Sequence, residues 1–233
     1  MNTPFPILFE DGEALIIDKP GGLPLDRPRA GGYSLDDRLG DFRLGFARRP
    51  VPVHRLDRDT SGCLLLARNP KALARFSAAF EARQVEKRYL GVVAGAVTGE
   101  GGTIELPLAK VSTRETGWRM VVARDGRSAV THWTRLAEVQ FEDRPITLVE
   151  FRPETGRTHQ IRVHAAEALG AALLGDAVYG TDTGARRTLL HASALSVTRQ
   201  GKPPVAATAP MPADFRALGF SDAGFADAGL SDG

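Results

Sequence analysis

Two carboxylates, Asp57 and Asp59, stand two residues apart in the stretch VHRLDRDTSG, residues 53 to 62, with Arg55 and Arg58 beside them and an apolar run on the C-terminal side. A carboxylate in a pocket serves as nucleophile, as general base or as metal ligand, and a neighbouring cation keeps it ionised against the cost of burial. Spaced at i and i+2 the pair can share a strand face, as in the D-x-D ligands of a metal-dependent transferase or nuclease. A hard cation wants further oxygen ligands, however, and Arg58 places an opposing charge between these two. The plainer reading is a turn in which Asp59, Thr60 and Ser61 bond local backbone groups while the arginines neutralise the acids.

A second concentration is GRTHQIRVH, residues 156 to 164, which holds Arg157, Thr158, His159, Gln160, Arg162 and His164 within nine positions. If the segment is helical from Thr158, His159 and Arg162 lie on one face. His159 and His164, five apart, face each other on neither helix nor strand, which argues against a metal pair. The bland alternative is the solvated, basic start of a helix. Cys63 is the one cysteine, so neither an internal disulfide nor a thiolate metal cluster can form. No P-loop and no dinucleotide fingerprint occurs.

These stretches need elements to position them. Apolar runs at 5 to 9 and 14 to 18, split by Asp11-Gly12, predict a hairpin, followed by a Pro- and Gly-rich loop from Pro20 to Gly32. Ser34 offers an N-cap for a short helix ending near Gly40. Residues 63 to 67 read as a buried strand. The next helix is well signposted, with Asn69 as N-cap, Pro70 at its first position, and Leu73, Phe76, Ala79 and Phe80 at helical spacing up to about Gln84. Strand signals cover 89 to 97, a hairpin of 118 to 123 with 128 to 139 across Asp125-Gly126, then 146 to 151, 189 to 197 and 205 to 209. Thr158 would cap a helix reaching Leu169, stopped by Gly170. Many strands joined partly by hairpins predict an α+β fold, a mixed and largely antiparallel sheet flanked by helices.

The chain has 233 residues, 42% hydrophobic and 25% charged, the balance of an ordinary globular protein rather than a disordered or fibrous one. Its start lacks a signal-peptide pattern and no apolar run approaches the roughly 18 residues of a membrane span, so a cytoplasmic chain without membrane contact is expected. The net charge of +2 conceals an asymmetry, because Asp222, Asp227 and Asp232 follow the last arginine and the body alone carries +5. A basic body suits a phosphate-rich partner. Residues 1 to 218 are expected to form one domain and 219 to 233 a disordered acidic tail.

Together the two stretches resemble the RluA-type pseudouridine synthases, whose motifs read HRLD-x-x-TSG and GRTHQ, then Ile or Leu, then RVH. The resemblance runs over about residues 9 to 216 and includes IIDKPGGLPL, KRYLGVVAG, GDAVYG and LLHASALSV in order. Where the family commonly has Asn-Lys-Pro, this chain has Asp18-Lys19-Pro20, and it is expected to start at the catalytic domain without an S4-like RNA-binding module. The resemblance implies an isomerase with the pseudouridine synthase catalytic fold and a central RNA-binding cleft, flipping a uridine out of structured ribosomal or transfer RNA and rejoining its base to the sugar through C5.

By that resemblance Asp57 is the catalytic aspartate, Arg162 the arginine that forms an ion pair with it, and Tyr89 the tyrosine that stacks on the target base. Arg55 is the arginine that fills the space the uridine vacates, and His54 has either a supporting role or an RNA contact. Lys19, Arg157, Thr158, His159 and Gln160 are implied as further RNA contacts. No cofactor, metal or obligate protein partner is implied, since atoms are conserved. Two routes stay open, attack of Asp57 on C1′ or proton abstraction from the sugar to give a glycal. A catalytically silent RNA-binding or ribosome-assembly protein, and a metal-dependent enzyme using Asp57 and Asp59, are the competing readings.

Overall fold

A computed structural model describes residues 3 to 28, 30 to 114, 117 to 181 and 184 to 221. The chain, read above as one domain to residue 218, divides into two compact units. The first comprises the residues up to Lys87 together with His191–Pro210, and the second comprises Arg88–Leu190 and the chain from Met211 onward. Among the described residues no helix is long and apolar enough to cross a membrane.

In the first unit, β1 (Ile7–Glu10) and β2 (Ala14–Lys19) form the expected antiparallel hairpin. The Asp11 side chain closes its turn by accepting from the amides of Glu13 and Ala14, each at 2.8 Å. β3 (Val51–Pro52) pairs antiparallel with β4 (Ser61–Ala67), which is buried throughout, as its continuous apolar run requires. β4 also pairs antiparallel with β2. The helix α1 (Pro70–Glu81) starts where the sequence places it, with Asn69 Oδ1 accepting from the Ala72 amide at 2.8 Å. A short 3-10 helix, Asp36–Phe42, departs from expectation: Ser34 donates to the Asp37 carboxylate instead of capping, and Leu35 occupies the cap position.

The second unit opens within β5 (Val85–Val93), whose described pairing with β10 (Arg144–Pro153) is antiparallel. β10 pairs with β9 (Val130–Phe141), and β9 with β6 (Gly101–Glu105). The hairpin expected across Asp125-Gly126 does not form. β8 (Gly117–Val122) instead pairs with β7 (Leu108–Thr113) in a separate two-stranded sheet. The Asp-Gly turn does close, with the Gly126 amide donating to Ala123, but a backbone bridge between Leu108 and Arg127 then sends the chain into another sheet.

The helix α2 (Gln160–Ala168) has His159 rather than Thr158 at its cap position, one residue later than expected; His159 sits in the left-handed region (φ 53°) and no side chain caps the helix. Gly170 ends this segment with positive φ, as predicted. β11 (Leu190–Arg199), which enters the first unit at His191, pairs parallel with β4 and antiparallel with β12 (Lys202–Thr208). The short helix α3 (Ala213–Ala217) lies in the second unit, whose core gathers Leu90, Val92, Leu148, Leu174 and Phe215. Phe220 is buried in that cluster, so the chain stays packed beyond residue 219, and residues 222 to 233 of the expected tail lie outside the described residues. The fold is α+β with a mixed, mostly antiparallel sheet arrangement, as the sequence predicts.

Candidate active site

The loop bearing Asp57 is clamped to the first unit on both sides. Upstream, His54 accepts a hydrogen bond at Nε2 from the Leu65 amide (3.0 Å) and stacks on Phe80 of α1, centroids 4.7 Å apart. Burial, with the charge of Lys87 adding to it, pushes the His54 pKa down to about 3, so the ring is a neutral acceptor at physiological pH. Leu56 is buried and Arg55 exposed, so the loop anchors on one side chain and presents the next.

Downstream, the Thr60 amide returns to the Asp57 carbonyl at 3.1 Å, closing a tight turn. Ser61 Oγ is 2.9 Å from His191 Nδ1 of β11. Gly62 has φ +101°, and a Cβ there would lie 2.2 Å from the Ala192 carbonyl oxygen, so only glycine lets β4 approach β11 this closely. The TSG part of the motif is thereby a docking device for the carboxylate loop. Asp57 itself is half-buried on that loop.

Lys19 is fully buried. Its ammonium donates to the carbonyls of Pro20 (2.8 Å), Leu23 (2.8 Å) and Arg58 (3.1 Å), tying the Pro- and Gly-rich loop to the residue after Asp57. This corrects the expectation that Lys19 contacts RNA: the three donors of a lysine head group are turned inward on backbone oxygens.

In the second unit Tyr89 lies on β5 opposite Phe151 of β10, half-buried against the cluster that holds Val149 and Ile161. Arg162 projects from α2 into a bidentate pair with Asp176, Nε and Nη2 each 2.7 Å from a carboxylate oxygen. Burial pushes the Asp176 carboxyl up, but the Arg162 hydrogen bonds and charge, with the amides of Val178 and Tyr179, outweigh it and hold the group below the usual carboxylate range. The Arg162 guanidinium lies 5.2 Å from the centroid of the Tyr179 ring. The Tyr179 hydroxyl accepts from the Met120 amide (3.0 Å) and is 2.9 Å from His159 Nδ1.

A family model for RNA pseudouridylate synthases matches residues 13 to 167. The chain is 50% identical over 216 residues to an uncharacterized RNA pseudouridine synthase of Zymomonas mobilis, a match covering 92% of this chain and 97% of the relative. The chain belongs to the RluA-type RNA pseudouridine synthase family. It isomerises uridine to pseudouridine in RNA. It is also 40% identical over 237 residues to ribosomal large subunit pseudouridine synthase D of Xanthomonas campestris, covering 93% of this chain and 69% of that one. Among solved structures, human RNA pseudouridylate synthase domain containing 1 is similar at 27% identity with a TM-score of 0.76, covering 88% of this chain and 83% of the other.

Within this synthase the GRTHQ segment is more inward than its polarity suggests. Gln160 is buried, its amide donating to Val130 O and Thr131 Oγ1 and its carbonyl accepting from Thr155 Oγ1 and the Arg157 amide. With both amide donors and its acceptor turned on the protein, Gln160 shapes the loop, which corrects the expectation of an RNA contact. His164 is likewise buried between Thr131 Oγ1 and the Leu106 carbonyl. Thr158 is half-buried ahead of the helix, and Arg157 keeps its guanidinium half-exposed while donating through Nε to Ser128 O. His159 turns to Tyr179 and Trp118. Asp176 and Tyr179 were missed as site residues, although the sequence carries them in GDAVYG. A lone aspartate between a glycine and an alanine reads as a turn until the arginine it meets, fourteen residues earlier, is known.

Proposed function

We propose that Asp57 is the carboxylate through which this synthase breaks and remakes the glycosidic bond, that Tyr89 and Arg162 serve the same reaction, and that its substrate is large-subunit ribosomal RNA. The complete HRLD-x-x-TSG motif, held at Thr60, Ser61 and Gly62, supports the role of Asp57. The RNA target rests on the similarity to the Xanthomonas campestris protein, named for the ribosomal large subunit. Arg55 fills the space a flipped uridine leaves, a reading supported by its exposure two residues before Asp57 and by the capacity of a guanidinium plane to stack on neighbouring bases and contact phosphate. Flipping itself costs a few kcal/mol of stacking.

Asp57→Asn removes the reactive carboxylate with little change in bulk. Tritium release from labelled uridine is expected to vanish while RNA binding stays within a few-fold, and clear residual turnover would dismiss the assignment. Pseudouridine mapping of all stable RNAs after deletion of the gene tests the target, with sites lost from ribosomal RNA expected and sites lost from transfer RNA alone contradicting it.

A further inference from the structure

The β7–β8 hairpin carries Trp118, an indole that is 48% exposed. A single exposed ring is ordinary on a protein surface, but this one is held in place. It stacks on the His159 imidazole with centroids 5.1 Å apart and planes 30° from parallel. His159 is fixed by its left-handed backbone and by the Tyr179 hydroxyl, which in turn accepts from Met120 on the same strand as Trp118. The surroundings are cationic: Lys110 Nζ lies 5.0 Å from the indole centroid, and Arg114 is exposed on the same hairpin. A rigid, exposed aromatic ring among cations is what single-stranded nucleic acid seeks, because every base offers a π-face and every nucleotide a phosphate.

We propose that Trp118, backed by His159, is a stacking platform for an unpaired base of the substrate RNA other than the uridine that is isomerised. Lys110 leaves the ring as the base arrives and moves to an adjacent phosphate. The exchange is favourable because an ammonium over an exposed ring is the weaker of the two contacts. The inference rests on RNA being the substrate and is independent of the roles proposed for Asp57, Tyr89 and Arg162.

The chain has two tryptophans, Trp118 and Trp133, so Trp133→Phe leaves Trp118 as the sole indole reporter. Titrating that protein with a stem-loop RNA that it modifies is expected to quench Trp118 emission saturably, and a fully paired duplex of equal length is expected to quench it far less. Trp118→Ala should raise KM for the stem-loop about tenfold, the loss of one base stack, with a smaller fall in kcat. Trp118→Phe should recover most of the loss. Emission unmoved by RNA, or a KM within twofold of wild type for Trp118→Ala, overturns the proposal. So does equal quenching by the duplex. Should Trp118→Ala misfold, the emission titration and the Trp118→Phe kinetics still decide, because both keep a ring at the position. Loss of turnover in Asp57→Asn leaves the emission titration intact, because that titration reads binding and not chemistry.

Discussion

Asp176 receives the Arg162 fork at two oxygens and two backbone amides at one of them, which makes it the organiser of the GRTHQIRVH segment as much as its neighbour. Arg162→Lys keeps the charge but loses the planar, bidentate fit, whereas Arg162→Met leaves the buried Asp176 carboxylate without a counter-ion. The methionine variant is expected to lose about 3 to 5 kcal/mol of stability, as for other broken buried pairs, and the lysine variant distinctly less. Chemical denaturation measures both, and equal losses would show that the fork geometry contributes nothing. Both variants are expected to lose most turnover. At this scale the sequence names the residues of the site and not their duties. Lys19 and Gln160 read as RNA contacts because they are polar and lie in motifs, yet burial commits the Lys19 ammonium to loop carbonyls and the Gln160 amide to Val130, Thr131, Thr155 and Arg157, and only the folded chain says where those partners are.

Among the elements, β4 and its two ends carry the most testable consequences. Gly62→Ala places a methyl against the Ala192 carbonyl and forces an alanine to positive φ. It should destabilise the first unit by several kcal/mol and remove activity through misplacement of the Asp57 loop, and a variant as active and as stable as wild type would contradict that account. Asn69→Ala, at the other end, removes only the cap of α1, costing about 1 kcal/mol and so lowering Tm by roughly 2 to 4 °C without touching kcat. The same contrast explains what was legible. Signals local to an element, such as Asn69-Pro70, Asp11-Gly12 and the apolar run of β4, predicted it correctly. The Asp125-Gly126 signal also made its turn, but which strands a turn joins depends on partners far away, here Leu108 and Arg127. β6 escaped because Gly101 and Gly102 carry no strand signature, and they are glycines because Trp133 of the neighbouring strand lies against them.

At the scale of the molecule, charge governs both stability and binding. Arg75 and Lys202 bond the Glu13 carboxylate and hold its pKa at about 2, down from 4.5, at the turn where Arg199 also meets Asp11 and Glu13. Because the folded-state pKa is depressed, this stabilisation is complete above the unfolded value near 4.5 and disappears as pH falls towards 2. Glu13→Gln should therefore be less stable than wild type at pH 6 and equal to it near pH 2, with the gap shrinking in salt. A pH-independent gap would assign the effect to packing. RNA affinity is expected to fall steeply with salt, since a basic body releases counterions from several phosphates. Truncation tests the C-terminal packing: a chain ending after Leu218 lacks buried Phe220 and should be about 1.5 to 3 kcal/mol less stable than one ending after Ser221. Equal melting of the two truncated proteins would show that Phe220 contributes nothing.

The buried ammonium of Lys19 gives the Asp57 loop a chemical clock. The chain has five lysines, and Lys71, Lys110 and Lys202 are exposed to any amine-directed acylating reagent, while Lys19 is sealed beneath the carbonyls it holds. Acylation of Lys19 then reports each opening of the loop that follows β2, so its labelling rate, read by mass spectrometry against the exposed lysines as internal standards, counts how often the Asp57 loop comes apart in the native protein.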